Sequence, residues 1–168
     1  GATIIYPNEI PASQDAAKII CGNEWHIPTT SQFNELVENC EYIDQNGNII
    51  PKEQNNKIIN MPTKDGSSYI KGIRLKSKIN GNTIFFAAAG YGSLESITNN
   101  LSAGYYVTLN PNSQSLAYTY RFTTNAALQR SSLQKSRGMT IRPIMIPSRG
   151  RKSIQDDKDT IKDIEPTK

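Results

Sequence analysis

The clearest periodic signal in this chain begins at Pro28. Phe33, Leu36, Val37 and Cys40 recur at i, i+3, i+4 and i+7, the apolar stripe of a helix that packs one face on a core. Thr29 precedes the stripe and Gln32 stands three residues on, the pattern of a capping box. A shorter helix is predicted through Asp15, Ala16, Ala17, Ile19 and Ile20, with Ser13 as its cap and Gly22 as its stop. The run Ala2–Tyr6 reads as a short strand ended by Pro7.

Beyond the helices the period changes to two. From Ile70 to Lys78 polar and apolar residues alternate, with Arg74, Lys76 and Lys78 on one face and Ile73 and Leu75 on the other. Asn80-Gly81 predicts a two-residue hairpin turn, and Thr83–Ala87 a buried partner strand. The small residues Ala87, Ala88, Ala89, Gly90 and Gly92 point to close backbone packing. Residues 44–68 are polar and turn-rich and read as a surface excursion with a hairpin at Asn46-Gly47. Residues 92–103 read as a loop, 105–109 and 117–122 as strands, 123–137 as a polar surface stretch, and 139–145 as a last strand with Pro143 at its edge or end. From Ser148 the chain turns strongly charged, a solvated tail in which Ile154, Ile161 and Ile164 could share one helix face. The expected organisation is one α+β domain over residues 1–147 and a charged extension over 148–168.

Composition narrows the function classes. The chain has 168 residues, 36% hydrophobic and 20% charged, enough for one core and much polar loop. No apolar run approaches the roughly 18 residues a membrane helix requires, so no membrane insertion is expected. No stretch near the start joins a basic flank to an apolar segment, so any signal peptide is expected to have been removed. The net charge is +4, but its Lys and Arg residues are dispersed, which argues against nucleic acid as a partner. The Arg74, Lys76 and Lys78 face reads first as a solvated strand face and second as a contact for an anionic ligand.

Candidate chemistry is sparse. His26 is the sole histidine and Cys21 and Cys40 the sole cysteines, so no zinc site of the common Cys/His kind and no C-x-x-C redox pair can be assembled. The two cysteines could form one disulfide or stay as separate buried thiols; both readings remain open. Gly90-x-Gly92-Ser93 lacks the lysine of a phosphate loop, no G-x-S-x-G elbow occurs, and the carboxylate pair Asp156-Asp157 lies in the tail. No catalytic residue, metal or cofactor is therefore assigned, and a non-enzymatic module is expected.

The tyrosines are more informative. Tyr105, Tyr106, Tyr118 and Tyr120 fall on two neighbouring strands, and alternation is expected to send one of each pair inward and one outward. The outward tyrosines, with Arg121, Asn125 and Arg130, form the candidate ligand-binding set, since tyrosine offers contact area at low entropic cost and arginine offers forked donors.

Three stretches, in order, carry a family resemblance: Cys21-Gly22-Asn23-Glu24-Trp25-His26-Ile27-Pro28-Thr29 with Phe33 and Leu36; Lys76–Tyr91, with its Asn80-Gly81-Asn82 and Ala87-Ala88-Ala89-Gly90; and Gly104-Tyr105-Tyr106 with Ala117-Tyr118 and Gly138–Pro143. Together they resemble the Fibrobacter succinogenes major paralogous domain and its Bacteroidetes relatives, over residues 13–146. The resemblance implies a C-type lectin-like fold, with helices on a twisted, mostly antiparallel sheet and Trp25 and Phe33 anchoring sheet to helix. It also implies an exported, lipid-anchored or cell-surface protein with a glycan or protein ligand held on residues 92–137. Val107 stands where the family usually has tryptophan. Asn110-Pro111-Asn112 lacks the carboxylate of the calcium-dependent sugar motif, so binding is expected to be calcium-independent. Two further readings are a fimbrial tip or assembly subunit, and a retroelement-diversified receptor with its variable residues in 123–137.

Overall fold

The computed structural model describes residues 10–145. The expected strand at Ala2–Tyr6, the boundary near residue 147 and the tail helix fall outside them. A 3-10 turn at Ala12–Gln14 leads into helix α1 (Ala16–Cys21). Its cap is Asp15 rather than Ser13, because Ser13 is taken up in the 3-10 turn and Asp15 directly precedes the first free N–H groups. The buried Asp15 carboxylate accepts from Ala17 N–H at 2.9 Å and Lys18 N–H at 3.4 Å. It also accepts from Ile27 N–H at 3.2 and 3.3 Å, which ties α1 to the chain beyond strand β1 (Trp25–His26).

Helix α2 (Thr30–Asn39) starts at the predicted capping box: Gln32 N–H donates to Thr29 Oγ1 at 3.2 Å and Thr29 N–H to Gln32 Oε1 at 2.9 Å. Its predicted stripe faces the core, with Phe33 buried and Leu36, Val37 and Cys40 packed at the margin.

Strands β2 (Cys40–Ile43), β3 (Ile59–Pro62), β4 (Tyr69–Ser77) and β5 (Thr83–Ala87) form an antiparallel sheet. β4 pairs with β3 through residues 69–72, with β2 through 74–77 and with β5 through 72–76. Since β5 shares positions with each of the other two, it occupies the opposite edge of β4. The predicted alternation holds from Ile73 to Lys76, with Ile73 and Leu75 buried and Arg74 and Lys76 half-buried, whereas Ile70 is exposed and Lys78 lies past the strand in the turn. The hairpin after β4 is wider than the two residues predicted. Ser77 N–H donates to Asn82 C=O at 2.8 Å, and Ser77 Oγ accepts from Ile79 and Asn80 N–H at 3.1 and 3.3 Å. The serine thus holds four loop residues, with Gly81 at φ 73°. β3 itself was not expected within 44–68; there Ile50 and Ile59 join the core, and flanking turn residues mask them in the sequence. The turn at Asn46-Gly47 forms as predicted, with Asp44 Oδ1 accepting from Asn46 and Asn48 N–H and Ile43 bridging Ile49.

A small hairpin, β6 (Tyr91–Ser93) and β7 (Ser96–Thr98), occupies the expected loop at 92–103. The second sheet follows, β8 (Ala103–Pro111), β9 (Leu116–Thr123) and β10 (Ala126–Gln134), in the order β10-β9-β8. β10 replaces most of the polar stretch expected at 123–137. An edge strand buries little, and here Leu128 alone is fully buried. The expected strand at 139–145 is reduced to β11 (Ile144–Met145), paired with β1 just after Pro143, and a parallel bridge between Thr140 and Tyr106.

The core lies between α2 and the two sheets. Phe33 stacks on Tyr120 with centroids 4.5 Å apart, and Phe86 meets Tyr106 edge-on at 4.9 Å. Ile73, Leu75, Phe122 and Leu128 fill the space around them. Trp25, half-buried, packs in a smaller cluster with Ala17, Ile27 and Leu109. The described residues are thus mostly antiparallel sheet with two α-helices.

Of the small residues near 90, Ala88 and Gly90 are closely packed, a Cβ on Gly90 falling 2.1 Å from Thr98 C=O, whereas Ala89 is exposed. A Cβ on Gly104 would lie 2.3 Å from the Phe122 ring and 2.8 Å from Ala87 C=O, whereas one on Gly92 meets nothing closer than 3.5 Å. Gly104→Ala is therefore expected to lower unfolding free energy by about 1–3 kcal/mol, as overpacking does. Gly92→Ala should leave it nearly unchanged, and urea denaturation of the two variants checks the contrast.

Candidate functional site

The register of the second sheet divides the candidate residues between its faces. Tyr106, Tyr120 and Arg130 stand directly opposite one another across the three strands, and Tyr105, Arg121 and Gln129 form the next row. Opposite residues share a face, and successive rows alternate. The expected inward–outward split of the tyrosines is therefore corrected. On β8 both are buried, Tyr105 at 6% and Tyr106 at 2% exposure, because both faces of this strand are covered. Tyr106 points into the main core. Tyr105 on the other face meets Tyr91 edge-on at 4.9 Å and accepts from Asn99 Nδ2 at 3.0 Å. On β9 Tyr118 and Tyr120 are two residues apart and so share a face. Tyr120, 1% exposed, lies under α2, and Tyr118 is half-buried.

Three of these tyrosines thus belong to the packing. The hydroxyl of Tyr120 faces the Thr30 carbonyl at 3.1 Å and, closer, the side-chain oxygen of Asn34. Burial pushes its pKa up, with Arg130 pulling it down and Glu38 pushing it further up. Tyr106 donates to Ala87 C=O at 2.9 Å, and burial raises its pKa to about 12 against the pull of Arg142 and that hydrogen bond.

What remains accessible is a smaller set. The exposed Arg130 places its guanidinium carbon 5.3 Å from the centroid of the half-buried Tyr118 ring, a cation–π arrangement. Asn125 is exposed in the β9–β10 turn, its own N–H donating to Thr123 Oγ1 at 3.1 Å. Arg121 is half-buried on the opposite face, with its Nε buried and unpartnered. The structure therefore brings Tyr118 and Arg130 together and leaves Arg121 and Asn125 apart from them.

A cleft of about 500 Å³ opens elsewhere, where α2 runs into β2, and neither Tyr118 nor Arg130 lines it. Val37, Ile50 and Ala127 give it apolar walls, and Glu41, Lys52 and Lys78 give it charge. Ala127 lies on β10, three residues before Arg130. Lys78 Nζ donates to Glu38 C=O at 3.0 Å, a cation at a helix C-terminus. The cleft was missed in the sequence because its other wall, Ile49–Lys52, sits in the polar excursion; the apolar pair Ile49-Ile50 was the available signal. On β4, Arg74 donates to Thr83 Oγ1 at 3.3 Å, so that face is partly engaged within its own sheet.

The remaining chemistry-bearing side chains are separate. Cys21 is exposed and Cys40 half-buried, both free thiols. The buried His26 holds Nδ1 2.9 Å from Ile27 C=O. Among the described residues no three His, Cys, Asp or Glu side chains gather as metal ligands would, and no helix is long and apolar enough to cross a membrane. Comparison with protein-family models, with curated proteins and with solved structures finds no match for this chain.

Burial raises the Cys40 pKa, with Lys78 opposing it. Cys21 is expected to react quickly with a disulfide reagent at neutral pH and Cys40 slowly, so Cys21→Ser should leave the slow phase alone. The raised Tyr106 pKa has a defined sign. The fold favours the protonated phenol, so its stabilisation is complete below the ordinary tyrosine value near 10 and is lost as pH rises towards 12. Unfolding free energy should therefore fall through that window, and denaturation series with absorbance at the phenolate band measure it.

Proposed function

We propose that this chain is a non-enzymatic, calcium-independent binding module of C-type lectin-like fold, carried outside the cell or on its surface, with a glycan or protein ligand. The resemblance to the Fibrobacter succinogenes major paralogous domain supports the fold and the location. The lack of a nucleophile–base pair in the sequence supports a binding role over a catalytic one. Asn110, in the triplet that only mimics a calcium motif, places its side-chain oxygen 2.8 Å from Thr30 N and 3.1 Å from Thr30 Oγ1. It braces α2 against β8, a structural use that supports calcium-independence.

The observation that carries this reading is the Arg130–Tyr118 pair. Stacking holds the guanidinium in place without using up its N–H donors, which suits a carboxylate on an acidic sugar or a protein surface. Ligand contact thus concentrates on Tyr118 and Arg130. Tyr105, Tyr106 and Tyr120 support the strands from inside.

The test is a glycan and protein array probed with the whole chain, with and without chelator. Binding is expected to survive chelation. Arg130→Ala or Tyr118→Ala should weaken it by about 1–2 kcal/mol, as interface anchors do. Unchanged affinity in both variants, each folded by circular dichroism, would move the site elsewhere. Tyr120→Ala probes the fold instead, with an expected loss of about 3–5 kcal/mol of stability.

A further inference from the structure

The outer edge of the second sheet has a pattern of free backbone groups that fits a second copy of itself. β10 pairs only with β9 among the described residues. Lys135 N–H donates to Ser115 C=O at 2.9 Å, in the same register that sets Arg121 opposite Gln129 and Thr119 opposite Ser131. Backbone groups alternate in direction along a strand. Those of Gln129, Ser131 and Leu133 therefore point to β9, and those of Arg130 and Ser132 point away from it. Leu128 N–H, also on the outer side, is taken by the Tyr42 hydroxyl at 2.9 Å, and Gln134 C=O accepts from Arg137 N–H at 3.0 Å. Between these two engaged ends, the N–H and C=O of Arg130 and Ser132 have no partner among the described residues. Their side chains are exposed, and β10 carries neither proline nor lysine to blunt it.

We infer that β10 pairs antiparallel with β10 of a second copy, about a two-fold axis at Ser131. That register sets Arg130 opposite Ser132 of the partner, and Ser132 opposite its Arg130, so the free groups on each side satisfy one another. It sets Gln129 opposite Leu133 and Ser131 opposite itself, with no like charges face to face. Centring the axis on Arg130 would oppose two guanidinium groups, and centring it on Ser132 would call on the Gln134 carbonyl that Arg137 already uses. The interface is isologous and closed, as two-fold pairs are. The two sheets become continuous, which brings both Tyr118–Arg130 pairs to the same side of the assembly. The pairing itself needs no ligand and stands whether or not those pairs bind one.

Sedimentation velocity of the full chain over a wide concentration range tests the inference. A concentration-dependent dimer is expected. Ser132→Glu places a carboxylate opposite each Arg130 of the partner and should tighten the dimer, while Ser132→Arg should loosen it. Two symmetric pairs shift the dissociation constant by a factor of roughly two to thirty in each direction. Ser132→Pro removes an outward N–H without touching the β9 ladder and should shift the equilibrium to monomer. A monomer at every concentration overturns the inference. So does a dimer that is indifferent to these changes, or one that responds with the same sign to Glu and Arg.

Discussion

The contact on which the rest of the molecule depends is the stack of Phe33 on Tyr120. Its rings lie 4.5 Å apart and 10° from parallel, and such a pair contributes about 0.5–1.5 kcal/mol beyond the area it buries. Its position matters more than that increment. Tyr120 is in the central strand of the second sheet, opposite Tyr106 on one side and Arg130 on the other. Phe33 is the buried residue of α2 and also faces Phe86 of the first sheet at 6.2 Å. One aromatic contact thus sets the height of the helix over one sheet and joins it to the other. The Tyr120 hydroxyl, facing Thr30 and Asn34 near the start of α2, fixes how far along the sheet the helix sits.

Much of this frame is legible in the sequence, and for local reasons. The Thr29–Gln32 box and the Phe33, Leu36, Val37, Cys40 stripe need only neighbours within one helix to be read, and both stand in the structure. The alternation of β4 is legible because one of its faces is solvated. The tyrosines depart from the expectation because burial on β8 is a tertiary property. Tyr105 is covered by Tyr91 from the β6–β7 hairpin, which no pattern within β8 announces. Tyr118 and Tyr120 share a face by the period of two, and Tyr120 is the one covered by the Phe33 ring of α2. β10 escaped notice for the opposite reason. Its polar residues are those of an edge strand, and an edge looks like a loop until its partner is known. Asp15 is a similar case, since the reach of its carboxylate to Ile27 N–H spans twelve positions of sequence.

The candidate site follows the same division. The candidate tyrosines lie mostly in the packing, and the accessible pair consists of the half-buried Tyr118 and an arginine on the edge strand. That placement has a physical logic. A guanidinium held over a ring keeps its donors directed outward, and a strand edge gives a rigid base with little side chain above it. The cleft at the junction of α2 and β2 is separate from that pair and touches β10 through Ala127.

Arg130 then has two consequences that arise from one charge. On the sheet face it supplies the forked donor on which the proposed binding reading rests. Along the edge it discourages any pairing that would bring it against its own copy, because like charges directly opposite on neighbouring strands repel. With Leu128 N–H engaged by Tyr42 and Gln134 C=O by Arg137, only the groups of Arg130 and Ser132 are left to pair. Hydrogen-bond supply therefore disfavours the registers centred on Arg130 and on Ser132, and charge repulsion adds to the first of these. In the paired state the two Arg130 side chains would leave the same face from α-carbons roughly 8 Å apart on the diagonal. A polyanionic ligand could bridge such a pair, and the second contact would form at high effective concentration.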